Sequence, residues 1–338
     1  MKVAVVRNRS NKGIIGMLGR SCPETYGRRS VQNIIDGLRE GGHEVGIFEG
    51  DMTLLSHLKE FIPLDSATRM PLGVVFNLAY GIQGDCRYTH VPSMLEMCGI
   101  PYTGAGPLGQ TLSLDKVITK ILLEDAGVPT PDFLVTRKLN PDLKNLEFPL
   151  VVKPRHESTS YGLNLVHNYK ELNQAIQLVL NDFQQEAMVE EYVEGREVSV
   201  CLMGNDQQTV LPTVEIDFQD RSLHTLTWED KYHKTTDEPE KKCPADVDST
   251  IDLNLKKFSL IAFRACHCRD YAKVDIRIDP HGNPYILEIN SMPSLGPGAT
   301  YTFAARTSGM DMTTMACKIL NAACERYFRP SLFSQKAE

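Results

Sequence analysis

The sequence predicts an α/β fold, α+β in part: a small N-terminal unit built on a mostly parallel sheet, then a larger body of hairpin-linked strands and helices. Three observations carry this reading. Residues 1–107 alternate strand and helix patterns, residues 148–200 hold two strand–loop–strand segments, and residues 273–290 read as a β-hairpin.

In the N-terminal unit, Val3-Ala-Val-Val6 is the unbroken apolar run of a buried strand, and residues 44–48 and 73–76 read as further strands. A helical spacing over 30–40 stops at Gly41-Gly42, and another over 91–98 stops at Gly99. Residues 108–204 form a central unit: a lysine-bearing helix, a polar loop between two strands, a helix over 170–180 and a strand–Gly turn–strand join. Residues 205–338 hold strands near 210–216, a helix over 250–264, the hairpin and two closing helices. Between them lies a polar, charged stretch over 219–246, too long for a passive loop and suited to a lid.

Composition narrows the function classes. At 338 residues the chain has ample core. A net charge of −7 and pI near 5.8, with no basic run, exclude a nucleic-acid footprint. No uninterrupted apolar stretch of about 18 residues is present, and the start is too short for a signal segment, so a soluble cytoplasmic protein without membrane contact is expected. Nine cysteines without regular spacing fit a reducing compartment. Cys266-His267-Cys268 has no second ligand pair nearby, and partly buried thiols are expected there rather than zinc.

The hairpin carries the most chemistry. Apolar residues alternate through Val274, Ile276 and Ile278, Asp279-Pro-His-Gly-Asn supplies the turn, and Tyr285-Ile-Leu returns. Glu288 and Asn290 then share a face, with Asp275 opposite on the paired strand. Three oxygen donors without His or Cys suit Mg²⁺, which keeps waters and shares substrate phosphates. Lys153-Pro-Arg-His-Glu-Ser-Thr159-Ser160-Tyr-Gly162 lies between two strands and can turn backbone N–H groups, hydroxyls and a lysine toward phosphate oxygens. It lacks the Walker spacing, and no Gly-x-Gly-x-x-Gly follows the first strand. Glu190, Glu191 and Glu197 place carboxylates at a strand–turn–strand join able to hydrogen-bond an adenine amino group and a ribose. Singly, each segment is also compatible with ordinary solvated surface.

In this order the segments resemble the ATP-grasp superfamily, in its D-alanine–D-alanine ligase-like branch, from about residue 101 to the last helix. Leu114-Asp115-Lys116-Val-Ile-Thr-Lys120 through Ala126-Gly-Val-Pro129-Thr-Pro131 is similar to the family's lysine helix, and 148–162 to its phosphate-loop strand pair. Residues 189–197 are similar to its adenine hinge, Trp228-Glu-Asp-Lys231-Tyr232 to its substrate lid, and 272–293 to its magnesium hairpin. The resemblance implies an ATP-grasp fold with a pre-ATP-grasp domain in front. Under it, Lys116 and Lys153 would contact the α- and β-phosphates, and Thr159 and Ser160 would close over them. Lys231 would reach the γ-phosphate. Glu190 and Val193 would meet adenine with Glu191 in the same stretch, and Glu197 the ribose. Asp275, Glu288 and Asn290 would hold Mg²⁺, as two ions for which Mn²⁺ can substitute. Lys273, Tyr232, Thr159 and Glu24 are the candidate catalytic residues, and a homodimer is expected.

Departures from the family pattern concern the substrates. Lys273 stands where an arginine is usual, keeping charge but not the bidentate fork, and Arg277 lies two residues beyond Asp275. Tyr80-Gly81 replaces a His-Gly motif, Glu24 is the match for an amine-binding glutamate, Ala299 replaces a serine that holds a carboxylate, and Thr159 replaces another serine. The implied activity is ATP-dependent joining of a small carboxylate and an amine, both from amino acids other than two D-alanines, through an acyl phosphate. Two alternatives stand beside it: a D-alanine–D-alanine ligase of cell-wall synthesis, and a nucleotide-binding regulatory protein without turnover.

Overall fold

Three parallel strands open the chain: β1 (Lys2–Arg7), β2 (Glu44–Glu49) and β3 (Gly73–Leu78), in the order β2-β1-β3. The central strand buries Val3, Ala4, Val5 and Val6 completely, which explains its unbroken apolar run. In the computed structural model, residues 1–328 are described except 10–12, 17–20, 23, 220, 222–224, 226–227, 229 and 231–238. Helix α1 (Arg28–Glu40) presents Val31, Ile34, Ile35 and Leu38 to the sheet on one stripe and ends at Gly41-Gly42, where Gly42 takes φ +84°. Helix α2 (Leu54–Phe61), with only Leu54 and Leu58 buried, was not anticipated; eight residues with two anchors give too weak a period to read. Helix α3 (His90–Met97) closes the unit before Gly99, at φ +67°.

Helices α4 (Pro107–Leu114) and α5 (Lys116–Asp125) follow, and then a four-stranded sheet. Its strands β4 (Phe133–Thr136), β5 (Leu150–Pro154), β6 (Asn164–Val166) and β7 (Ala187–Glu191) run in the order β4-β7-β5-β6. Helix α6 (Tyr169–Leu178) covers it and continues into one wider turn, Val179–Phe183. The second large sheet contains β8 (Arg196–Met203), β9 (Thr209–Val210), β10 (Val214–Asp217), β11 (Glu240–Lys242), β12 (Tyr271–Ile278) and β13 (Pro284–Asn290). Its path is β11-β10-β8-β12-β13, with β9 on β8, and helix α7 (Ser249–Ala265) packs across it.

The expected division at residue 204 does not follow the sheets. Strand β8 pairs with β12 over eight positions, so the break falls between Glu191 and Arg196. The lysine helix also sides with the later sheet, because Leu123 and Val128 share a core with Val198, Val200, Val274 and Ile289. Cys266 and Cys268 lie in that same core as free thiols.

Helices α8 (Thr300–Thr307) and α9 (Met312–Phe328) return to the N-terminal unit. Ile34, Ile35 and Leu38 of α1 form one core with Met315, Ala316, Ile319 and Leu320 of α9. The N-terminal sheet is therefore sealed by the chain's last helix. Ile319→Ala removes three carbons from a site with 0% exposure, and the expected cost is roughly 2–5 kcal/mol in a urea titration. A loss under about 1 kcal/mol contradicts the joint core.

Candidate active site

Strands β12 and β13 set the site by their register, which pairs Asp275 with Glu288 and Lys273 with Asn290. Directly opposed residues project from one face, so these four side chains gather there while Val274, Ile276 and Ile289 face the core. Asn290 Nδ2 donates to Asp275 Oδ2 at 2.9 Å and to Glu288 Oε1 at 3.3 Å. Ser199 Oγ donates to Asp275 Oδ1 at 2.6 Å from β8. Both carboxylates have lysine counter-ions: Lys273 Nζ donates to both oxygens of Asp275, and Lys116 Nζ lies 3.7 Å from Glu288 Oε2.

This donor set fits a hard divalent cation. Among the described residues no group of three His, Cys, Asp and Glu forms a metal cluster, so the set is two carboxylates and an amide, leaving positions for water and substrate oxygens. Turning the Asn290 amide by half a rotation presents its Oδ1 to the same point.

The facing wall is cationic. Lys116 starts α5, where the Asp115 carboxylate caps the helix by accepting from Val117 N at 3.1 Å and Ile118 N at 3.2 Å. Burial pushes the Asp115 pKa up, but hydrogen bonds from His156 and Arg155 outweigh it and hold the carboxyl well below its usual range. Lys116 Nζ donates to the Glu157 carbonyl, and burial lowers its pKa. Lys153 on β5 meets Glu190 Oε1 at 2.8 Å, while Lys120 meets Glu190 Oε2 at 2.8 Å. Burial alone raises the Glu190 pKa; the two ammonium groups reverse the sign and hold it below the ordinary value. Burial brings Lys120 down to about 8.

Lys116, Lys153, Ser160, Glu197, Lys273 and Glu288 line one cleft between the two sheets. Ser160 sits at φ +60° and Gly162 at φ +82° in the polar loop. Thr159, at φ +56°, turns its hydroxyl back to the Ser158 carbonyl at 2.6 Å. At the hinge, Arg277 donates to Val193 O at 2.9 Å and Gly195 O at 3.2 Å, and approaches Glu197 Oε2 at 3.5 Å. Arg277 shares the polar face of β12 with Lys273 and Asp275, but its guanidinium is engaged in bracing the hinge. A Cβ on Gly195 would stand 2.1 Å from Ile278 O, so only glycine fits that turn. Glu191 is exposed beside it.

Glu24 joins the loop from the N-terminal unit. Buried at 3% exposure, it accepts hydrogen bonds from Ser158 Oγ and, at 2.9 Å, from the Tyr88 hydroxyl. Arg87 Nη2 lies 3.6 Å from Glu24 Oε1 and 3.0 Å from Glu157 Oε2. Tyr26, Tyr80 and Tyr88 form a row of rings, with centroids 5.2 and 5.4 Å apart. Sequence reasoning named Thr159 and Ser160 in this loop but not Ser158, which supplies a hydroxyl to Glu24, and it missed Arg87, Tyr88 and Lys120. Lys120 stood inside the quoted helix motif; Arg87 and Tyr88 carry no local signal. Lys231 and Tyr232 lie outside the described residues. From the same stretch, Thr225 lines the cleft and Trp228 packs on Tyr161, with ring centroids 4.6 Å apart.

Two sheets closing on a cleft with lysines on one wall and oxygen donors on the other define the ATP-grasp class. The D-ala D-ala ligase C-terminus family matches residues 122–321. A D-alanine–D-alanine ligase of Alcanivorax borkumensis is 34% identical, covering 96% of this chain and 98% of its own length. An uncharacterized protein of Sinorhizobium fredii, y4sG, is 46% identical over 97% of this chain and 98% of its own. The chain belongs to the D-alanine–D-alanine ligase family, ATP-grasp enzymes that form carbon–nitrogen bonds. The fold agrees: a Bacillus anthracis D-alanine–D-alanine ligase complexed with ATP superposes at TM-score 0.75 with 21% identity, covering 97% of this chain and 98% of that one. The VanG D-Ala:D-Ser ligase of Enterococcus faecalis superposes at 0.73 with 20% identity, covering 95% and 99%.

Burial raises the Glu24 pKa above its ordinary 4.5 despite the Arg87 charge. A carboxyl with a raised folded pKa contributes stability that is complete below its unfolded value and is lost as pH rises through the folded one. Glu24→Gln removes this titration. In urea midpoints the variant is expected to gain on the wild type as pH climbs from 4.5 through that window. A difference that stays flat with pH contradicts the assignment.

Proposed function

We propose that the protein joins a carboxylate to an amine at the expense of ATP, through an acyl phosphate, on amino-acid substrates other than two D-alanines. The observation that carries this is the convergence of Lys116, Lys153, Asp275 and Glu288 on a single cleft, with Asn290 hydrogen-bonded to both carboxylates. A carboxylate oxygen attacks the γ-phosphorus, the bond to the β-phosphate oxygen breaks, and ADP leaves. The amine nitrogen then attacks the acyl carbon, loses a proton, and phosphate departs as the carbon–nitrogen bond forms. Most of the barrier lowering comes from positioning and from cancelling negative charge.

Each residue acts on that charge. Lys116 and Lys153 face the phosphates, and Ser160 with the loop backbone closes over them. The hinge over 190–193 meets the adenine with its main chain, since the Glu190 carboxylate is engaged by lysines, and Glu197 takes the ribose. Asp275, Glu288 and Asn290 would hold magnesium, which would supply positive charge against the phosphate oxygens. Lys273, beside Asp275, supplies a positive charge where an oxyanion develops. Two ions, manganese as a substitute, a homodimer and a lid carrying Lys231 and Tyr232 belong to the same proposal. A regulatory protein without turnover needs only the nucleotide contacts, so the complete metal set speaks against it.

Glu288→Gln tests the metal role. Turnover is expected to fall by about 100-fold or more, because the variant loses several kcal/mol of charge stabilisation, while nucleotide binding measured by calorimetry persists. Wild-type products are expected to be ADP and phosphate, with a hydroxamate formed in hydroxylamine; AMP and pyrophosphate would contradict the acyl phosphate.

The departures at Tyr80 and Ala299 support a different substrate pair. Tyr80 is buried in the row of rings, and Ala299 caps α8 without a side-chain hydroxyl. A site that leaves a substrate's polar groups unsatisfied discriminates by about 10⁴. D-Alanine alone is therefore expected to be a poor substrate beside a panel of L- and D-amino acids and other carboxylates paired with amines. Accumulation of D-alanyl-D-alanine with the highest specificity constant of the panel sinks this half of the proposal and makes the chain an ordinary D-alanine–D-alanine ligase.

A further inference from the structure

Lys120 has no part in the chemistry above, yet its side chain is completely buried, at 0% exposure. A buried ammonium is costly unless it is fully paired. Here it is: Lys120 Nζ lies 2.8 Å from Glu190 Oε2 and donates to Thr130 Oγ1 at 2.6 Å and to Pro131 O at 3.0 Å. The Phe133 ring lies 5.5 Å away. Glu190 has a second cation, Lys153, on its other oxygen at 2.8 Å. The triad therefore holds two positive charges and one negative, and Lys120 is the member facing away from the cleft.

The net positive charge bears on the nucleotide. A Glu190–Lys153 pair alone would be neutral, and the charge of Lys153 would be spent on the carboxylate. With Lys120 neutralising Glu190 from behind, the triad keeps one net positive charge, and Lys153, which lines the cleft, is where it reaches a ligand. The same lysine reaches the opposite wall. Thr130 Oγ1, which accepts from Lys120, donates to Ile286 O at 2.7 Å, on β13 two residues before Glu288. Hydrogen bonds and ion pairs thus run without a gap from the phosphate-side lysine on β5 to the strand that carries the metal carboxylate.

We infer that Lys120 is a positioning residue for nucleotide binding: it frees the charge of Lys153 for the phosphates and, through Thr130, holds β13 against the lysine wall. This rests on the reading of the cleft as the nucleotide site.

The test is a mutant cycle read by calorimetric titration of ADP with Mg²⁺ into the full-length protein. Lys120→Met is expected to weaken binding by roughly 10-fold or more, within the range of coupling inside one ion-pair network, because Lys153 then becomes the only counter-ion of Glu190. Adding Glu190→Gln removes the carboxylate that captures Lys153, so the double variant is expected to recover to within about threefold of the wild type. A merely structural role gives the opposite, since a second buried substitution adds to the damage. Unchanged affinity in Lys120→Met, or a double variant no better than it, overturns the inference. Should Lys120→Met fail to fold, Thr130→Val carries the test: a loss of roughly threefold to tenfold is expected, and unchanged affinity overturns it. A wild type that binds no nucleotide overturns the cleft reading itself, and this inference with it, an outcome distinct from all of these.

Discussion

The pairing register of β12 with β13 is the constraint on which the rest of the site depends. A one-residue slip would exchange the faces of a strand, sending Asp275 into a core of valines and isoleucines and Ile276 into the cleft. Burying a carboxylate there without partners costs far more than the hairpin's hydrogen bonds return. The register is therefore held by its alternation, by the Asp279 turn that accepts from His281 N at 2.9 Å and Asn283 N at 2.8 Å, and by β8 on the other side of β12. A one-residue slip in either direction loses the buried apolar face, and the closed turn with the β8 pairing resists a longer one, so the two carboxylates stay opposed.

From that fixed row the electrostatics follow. Each acidic side chain of the cleft is matched to a lysine or arginine: Asp275 to Lys273, Glu288 to Lys116, Glu190 to Lys120 and Lys153, Glu197 to Arg277. Such a site tolerates low dielectric without ligands, since each charge has a partner. Under the proposed function a polyphosphate with its cation would enter by exchange, the metal taking the carboxylates and the phosphates taking the lysines. Such an exchange would conserve the number of ion pairs, so binding need not leave a buried charge uncompensated. Lys120 differs from the others because it has no route to the ligand, and its pairing persists through the exchange.

Legibility in the sequence followed the range of the interactions. The hairpin, the polar loop and the strand–Gly–strand join are local: period-two alternation, a turn rich in Asp, Pro, Gly and Asn, and ligand residues a few positions apart. The same holds for β1 and α1, whose burial patterns are written in consecutive residues. What was not legible depends on the chain meeting itself at a distance. Tyr88 and Ser158 reach Glu24 across 64 and 134 positions, so neither partner has a local signal. The change of sheet at Gly195 is hidden for a related reason: strand–Gly–strand is also the pattern of a hairpin and gives no local sign that β7 and β8 pair with different neighbours.

The same distinction separates the nucleotide half of the site from the substrate half. Phosphates and a divalent cation ask for charge and hard donors, a demand met by residue types that can be recognised in a string. A small acid and an amine ask for a shape, and shape here is made by Tyr26, Tyr80 and Tyr88 packing against one another beside Glu24 and Arg87, from three separate segments of the N-terminal unit. Arg87 changes what that pocket can hold. Its guanidinium lies between Glu24 and Glu157, and Gln185 Nε2 donates to Glu157 at 3.0 Å, so under the proposed function a substrate ammonium at Glu24 would share it with a fixed internal cation. Such an amine would gain less from Glu24 than one facing an otherwise uncompensated carboxylate, and more of its recognition would fall to the shape of the aromatic row. The N-terminal unit meets the loop over 155–163 through Glu24, Arg87 and Tyr88, and meets the second large sheet through the core that α1 and α9 share with Met203 and Tyr271, so the two contacts fix its placement over the cleft from both sides.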